Sequence, residues 1–162
     1  MDAKTFIRLC EEEFAPIARK YGFRARRKWR NYYTIHFINS YVNISFIYDT
    51  QDSLVMVKLT KLVKGKLISE PGLYSENEMF CYLIEYLLKA RAPELLENNK
   101  MFGFAENNED IVCMIKYNVK LLETYAIDIF MGDMRIFNAM RDEAIHDYGN
   151  LPGFNIKSLD DI

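Results

Sequence analysis

Five cations fall within residues 24–30, and this basic segment is the strongest chemical signal in the chain. If the segment is a strand, its even positions project from one face while Trp29 projects from the other. A row of cations beside Tyr32 and Tyr41 has the chemistry to hold phosphates or an acidic protein surface. The alternative is a solvated edge strand whose cations prevent edge-to-edge pairing and meet the glutamates at 11–13. The even positions of the row are Arg24, Arg26, Lys28 and Arg30.

The two histidines offer little support for a metal site. His36 falls in the middle of a predicted strand, where a lone histidine is more often a surface or hydrogen-bonded residue than a ligand. Glu143 and His146 have the spacing of half a carboxylate-bridged di-iron site, but the chain has no second Glu-x-x-His. We therefore expect no metal.

No motif for covalent catalysis is present. Cys10, Cys81 and Cys113 are far apart among apolar neighbours in segments predicted to be helical, which favours buried free thiols in a reducing cytosol. No serine lies in a Gly-x-Ser-x-Gly turn, and the seven glycines are scattered singly rather than in a phosphate-binding loop. These patterns predict a protein without enzymatic activity and without a cofactor.

The elements that position the basic segment follow from hydrophobic periodicity. Apolar residues recur at helical spacing from Asp2 to Tyr21, and Gly22 is placed to end that helix. Alternation then predicts strands over 23–30, 32–37, 41–48 and 55–60, joined by turn-forming residues. This order predicts an antiparallel β-meander of about four strands.

The second half of the chain has helical patterns. Ser75 and Glu78 have the spacing of a capping box, which predicts a helix from there to about Ala92. Further helices are predicted from about Asn108 to Gly132 and from Met134 to Tyr148. Strands first and helices later predict an α+β fold in which the N-terminal helix and the C-terminal helices pack on one face of the sheet. We expect one domain over residues 1–150 and a partly ordered tail over residues 151–162.

Composition limits the classes of function. The 162 residues carry a net charge of −2 at pH 7 and the pI is about 5.8, so any nucleic-acid binding would have to be local. The sequence has neither a secretory signal pattern nor a membrane-spanning apolar run, which predicts a cytoplasmic protein with no membrane partner. Tyr41, Ile47 and Met56 are apolar at outward strand positions, where a sheet facing plain water seldom keeps such residues.

Three segments resemble a broad set of small, mostly uncharacterised bacterial proteins, some of which are immunity partners of secreted polymorphic toxins. They are Tyr-Gly-Phe at 21–23, Asn-Ile-Ser-Phe-Ile-Tyr-Asp at 43–49, and the helical stretch 121–133 that ends in Gly-Asp. The resemblance implies a cytosolic protein that binds another protein without a cofactor. That set has no defined active-site motif, so no functional residue is carried over.

The sequence thus predicts a non-catalytic bacterial protein-interaction module, in its specific form an immunity protein that binds a toxin. Its partner surface would combine the outward apolar residues with the basic segment and its aromatic neighbours. One alternative is nucleic-acid or nucleotide binding through residues 24–30, and another is a homodimer formed through the outer apolar positions. The predicted binding residues are Arg24, Arg26, Lys28, Trp29, Arg30, Tyr32, Tyr41, Ile47 and Met56.

Overall fold

The structure is a computed structural model that describes residues 1–28, 33–67, 74–75, 78–79, 81–97 and 99–149. Trp29, Arg30 and Tyr32 lie outside these residues, as does the predicted tail over 151–162. No helix in the described ranges is long and apolar enough to cross a membrane.

Helix α1 (Ala3–Tyr21) has the boundaries that its local sequence predicts. The Asp2 side chain accepts a hydrogen bond from the Thr5 N–H at 3.0 Å, which satisfies one of the free donors of the first turn. Gly22 ends the helix in the left-handed region at φ +71°, where a side chain would be strained. The buried face of α1 consists of Phe6, Ile7, Cys10, Phe14 and Ile17.

A five-stranded antiparallel sheet follows, with the strand order β1-β2-β3-β4-β7. Its first four strands form the predicted meander: β1 (Arg24–Lys28), β2 (Tyr33–Ile38), β3 (Val42–Asp49) and β4 (Leu54–Lys61). The short pair β5 (Tyr74–Ser75) and β6 (Glu78–Met79) forms a separate ladder. Strand β7 (Cys81–Leu83) then pairs with β4. The α+β class is confirmed, with five strands in the main sheet rather than about four.

Alternate residues of β2 and β3 bury one face of the sheet under α1. The ring of Phe14 lies 4.4 Å from that of Phe37 and 5.9 Å from that of Phe46, centroid to centroid. Nearer the N-terminus of α1, the ring of Phe6 lies 5.6 Å from that of Tyr48, centroid to centroid. These tilted and edge-on contacts are favourable aromatic geometries. They identify this face, which we call the core face, as the one that α1 covers.

The prediction of a helix from Ser75 to Ala92 is wrong in its first half. Helix α2 (Ile84–Arg91) begins nine residues later, after β5, β6 and β7. The physical reason is tertiary, because Cys81, Tyr82 and Leu83 pair with the free edge of β4. Tyr82 is thereby buried on the core face, and this burial outweighs the local helix signal.

Helix α3 (Asn108–Tyr125) starts with a capping box in which Asn107 accepts from the Asp110 N–H and Asp110 accepts from the Asn107 N–H. The predicted continuous helix to Gly132 is interrupted at Ala126, whose φ of −120° and ψ of 9° leave the helical region, and α4 (Ile127–Phe130) follows. Two 3-10 turns precede α3, Pro93–Leu95 and Lys100–Phe102, and α5 (Ile136–Gly149) ends the described chain.

The helices and the sheet share one continuous core. Helix α3 packs against α1 and β4, while α5 packs against α2. Buried residues of α1, of the sheet and of α2 to α5 all belong to the same cluster. One contiguous core is typical of a single domain.

Candidate functional site

The strand register defines a second face of the sheet, opposite the core face. Paired residues of neighbouring strands point to the same side, and successive residues of one strand point to opposite sides. His36 and Ser45 precede the core residues Phe37 and Phe46, so they belong to the second face. Two rows cross it: Arg24, Ile38, Asn43, Thr60 and Cys81 form one, and Arg26, His36, Ser45, Lys58 and Leu83 form the other.

Small polar side chains are joined by hydrogen bonds at the centre of this face. The Asn43 Nδ2 donates to Ser45 Oγ at 2.8 Å, and His36 Nδ1 lies 2.8 Å from the same oxygen. One strand further on, Thr60 Oγ1 donates to Cys81 Sγ at 3.3 Å. Asn43, Ser45 and Thr60 are all buried, Asn43 with only 1% exposure. In the described part of the chain, Asn43 Oδ1 has no hydrogen-bond partner.

Ser45 and His36 have the atoms of a nucleophile and a base. With His36 protonated on Nε2, the Ser45 hydroxyl would donate to His36 Nδ1 while it accepts from Asn43. Burial opposes this role, because a substrate carbonyl would have to displace neighbouring side chains to reach Ser45 Oγ. The arrangement is better suited to holding β2 and β3 in register. Motif spacing in the sequence does not indicate this pair, but the register of a β2–β3 hairpin places His36 opposite Ser45.

Apolar residues flank the polar centre. Ile47 and Met56 are cross-strand partners, and both are partly exposed. Thr34 pairs with Ile47 from the other side, and Lys28 occupies the register position next to Thr34. The register thus brings together two of the three outward apolar residues that the sequence singled out.

Tyr41 does not join Ile47 and Met56. It lies in the turn between β2 and β3, where it is 48% exposed and packs against Gly132 in the junction after α4. The Asn39 side chain anchors this turn by accepting hydrogen bonds from the backbone N–H groups of Tyr41 and Val42. It also donates to the Phe130 carbonyl at 3.0 Å. Tyr41 therefore lies against the junction after α4 and not beside the apolar pair of the second face.

The described part of the basic segment, strand β1, forms an edge of the sheet. Arg24, Ala25 and Arg26 are exposed, and β1 pairs with β2 on one side. Among the ion pairs of the described residues, Glu12 pairs with Arg8, and Glu13 with Lys116. That the cations of the basic segment meet the glutamates at 11–13 stays a prediction.

The cysteines occupy three different environments. Cys10 is buried in α1, and this burial raises the pKa of its thiol well above the usual value, so it is inert at neutral pH. Cys81 is partly exposed in a strand and Cys113 is exposed on α3, so the prediction of buried helical thiols holds for Cys10 alone. Over the described ranges, no group of three or more histidine, cysteine or acidic side chains is arranged to hold a metal ion.

Comparison with known proteins gives no relative from which a role could be transferred. No protein-family model matches the chain, and neither a curated protein nor a solved structure shows significant similarity to it. The second face of the sheet and its basic edge are therefore interpreted from their own geometry.

Proposed function

We propose that this protein is a non-catalytic protein-interaction module whose partner docks on the second face of the sheet. The observation that carries the proposal is the apolar pair Ile47 and Met56, partly exposed on a sheet face that Arg24 and Arg26 border. Burying such a pair would gain hydrophobic free energy, and the neighbouring cations would orient an acidic partner. Apolar side chains next to polar and charged ones are the usual composition of a protein interface.

The polar centre lies beneath this surface. Asn43 is 1% exposed and its Oδ1 is buried, so a docked partner does not reach that oxygen. The hydrogen bond between the buried Ser45 and the partly exposed His36 holds β2 and β3 together in this proposal, and the pair takes no part in catalysis.

The specific form of the proposal is a bacterial cytoplasmic immunity protein that binds a toxin. It rests on the resemblance of residues 21–23, 43–49 and 121–133 to proteins of that kind. A secreted multidomain toxin encoded by the adjacent gene would support it. The direct test is binding of the recombinant toxin to this protein, and failure to bind at micromolar concentration contradicts the toxin-binding form.

A matched pair of variants tests the broader proposal. Met56→Lys places a charge in the centre of the apolar pair, while Met131→Lys makes the same change at a methionine that is 64% exposed in the junction after α4. Tagged wild type and both variants are used to capture partners from lysate of the source cells, with quantification by mass spectrometry. We expect a partner that Met131→Lys retains and Met56→Lys loses at least tenfold. Capture that is equal for all three proteins contradicts docking on the second face.

Nucleic-acid or nucleotide binding is the second candidate, favoured by the exposure of Arg24 and Arg26 on one edge. Affinity for single-stranded oligonucleotides should then fall steeply with salt and with charge reversal at Arg26. Absence of binding at low salt removes this candidate. A homodimer through Ile47 and Met56 is the third, and sizing chromatography with light scattering distinguishes it, because Met56→Lys would convert a dimer to a monomer.

A further inference from the structure

Strand β1 is the edge of the sheet most suited to receive another strand. In the described part of the chain it pairs with β2 alone, so alternate residues of Arg24–Lys28 direct their backbone N–H and C=O groups away from the sheet. The opposite edge, β7, has only three residues and leads directly into α2. A strand of five residues offers a longer ladder than one of three.

The β1 edge is also accessible. The side chains of Arg24, Ala25 and Arg26 are all exposed, although Ala25 lies in the row of the core residue Phe37. Helix α1 therefore leaves this margin of the core face uncovered. An incoming backbone could approach β1 from the side without first displacing a described element.

The charges on this edge select the kind of strand it would accept. Arg24 and Arg26 are two residues apart on the second face, a separation of roughly 7 Å along a strand. A second copy of β1 would bring like charges together, which opposes self-pairing. A strand with carboxylates at every second position would instead place each one beside an arginine.

We propose that the β1 edge binds an extended acidic segment of another protein by strand addition. The segment pairs its backbone with β1 and presents Asp or Glu at alternate positions to Arg24 and Arg26. This inference rests on the proposed protein-binding function and names the chemistry of the partner. A peptide is favoured over a nucleic acid because only a peptide offers amide N–H and C=O groups that match the strand edge.

Synthetic peptides of eight residues provide the test. The first alternates Glu with Thr or Val and carries a fluorophore for anisotropy titration at low salt. A second has the same composition with its glutamates clustered, and two more carry N-methyl groups on either the odd or the even amides. Since alternate amides of an added strand face β1, one N-methylated peptide should lose at least tenfold in affinity while the other retains it. The clustered peptide should also bind at least tenfold more weakly.

Protein variants locate the site. Arg26→Glu should weaken the alternating peptide at least tenfold, whereas Lys120→Glu on the exposed side of α3 should leave the affinity unchanged. Arg26→Lys should retain most of the affinity. Circular dichroism and urea denaturation establish that each variant is folded, so a loss for Arg26→Glu is interpretable.

Three outcomes would overturn strand addition. Equal affinity for all four peptides would show attraction by charge without backbone pairing. Tighter binding of a single-stranded oligonucleotide than of the alternating peptide would assign the edge to nucleic acid. No binding at millimolar peptide would also refute the inference. In each case, partner capture that depends on Met56 would still support the proposed function, so the two proposals fail independently.

Discussion

The ring of Tyr41 lies directly over Gly132, so close that a Cβ built on Gly132 would be 2.9 Å from the ring atom Cε1. Gly132 has a φ of +98°, which side chains other than glycine rarely adopt. This contact joins the β2–β3 turn to the junction between α4 and α5. The nearby hydrogen bond from Asn39 to the Phe130 carbonyl connects the same two regions, and its two residues are 91 positions apart in the sequence. Backbone conformation and ring packing therefore require glycine at the same position.

Replacing Gly132 with alanine should destabilise the fold by about 2–3 kcal/mol, from backbone strain plus the collision with Tyr41. Gly65→Ala is the matched control, because Gly65 has a φ of +71° and open space around it. It should cost only about 1 kcal/mol. Urea denaturation measures both. In a Tyr41→Ala background, Gly132→Ala should cost less than in the wild type, and an unchanged cost would contradict the ring contact.

Glu85 should make the protein less stable as the pH rises. Burial raises the pKa of this carboxyl above its ordinary value of 4.5, and its Oε2 has no hydrogen-bond partner in the described structure. The folded state then holds the proton more tightly than the unfolded state, so stability falls as pH rises from 4.5 through the folded-state pKa. Glu85→Gln should therefore be more stable than the wild type at pH 8, with a smaller advantage at pH 4.

Urea denaturation between pH 4 and pH 8 checks the Glu85 prediction. Glu123→Gln, which removes an exposed carboxylate from α3, is the control for the change in net charge. A free energy of unfolding for Glu85→Gln that runs parallel to the wild-type curve at every pH would contradict the prediction.

Asn118 should tolerate no charge. It is 0% exposed on α3, its Nδ2 donates to the Met114 carbonyl at 2.9 Å, and its Oδ1 has no partner among the described residues. Asn118→Asp keeps the shape but buries an unpaired carboxylate beside that carbonyl, which should cost about 3 kcal/mol or more at neutral pH. The loss should shrink as the pH falls and the carboxyl is protonated. Asn138→Asp, at an exposed position of α5, should change the thermal midpoint little.

Arg91 should couple α2 to the break between α3 and α4. Its guanidinium binds both carboxylate oxygens of Asp128 and also donates to the Tyr125 carbonyl. Both side chains are partly solvated, so a double-mutant cycle with Arg91→Met and Asp128→Asn should give a coupling energy of about 1 kcal/mol. A coupling energy near zero would show that the pair contributes nothing to stability.

The same pair predicts a loss of stability in acid. The hydrogen bonds from Arg91 hold the pKa of Asp128 below its ordinary value of 3.8. The stabilisation is complete above pH 3.8 and is lost as the pH falls through the folded-state pKa, because protonation removes the charge that Arg91 binds. Asp128→Asn should therefore lose less stability than the wild type between pH 5 and pH 2, measured by urea denaturation.

Much of the fold is encoded in short stretches of sequence. Helix α1 has its N-cap at Asp2 and its left-handed stop at Gly22, and both signals act within a few residues. The alternation in β2, β3 and β4 assigned each residue to a face correctly, for example Phe46 to the core and Ser45 to the second face. These features depend on local geometry, which the sequence displays directly.

Other features depended on partners far along the chain. Cys81 to Leu83 carry too few residues to show a period of two, and they form a strand because the edge of β4 is available to them. Tyr41 has the parity of an outward strand residue, yet it packs on Gly132, which the sequence places 91 residues later. The pairing of His36 with Ser45 also required the register of the hairpin.

By itself, the sequence determined the α+β class, the order of the meander strands and the side of the sheet on which Arg24, Arg26, Ile47 and Met56 lie. Only the tertiary structure decided that Ile47 and Met56 are neighbours, that Asn43 is buried with a free acceptor, and that the basic strand is an edge. Periodicity records which way a side chain points, because that depends on the local backbone. Which side chains become neighbours on a face depends on contacts between residues that are distant in the chain. The free energy of those contacts cannot be read from any single segment of the sequence.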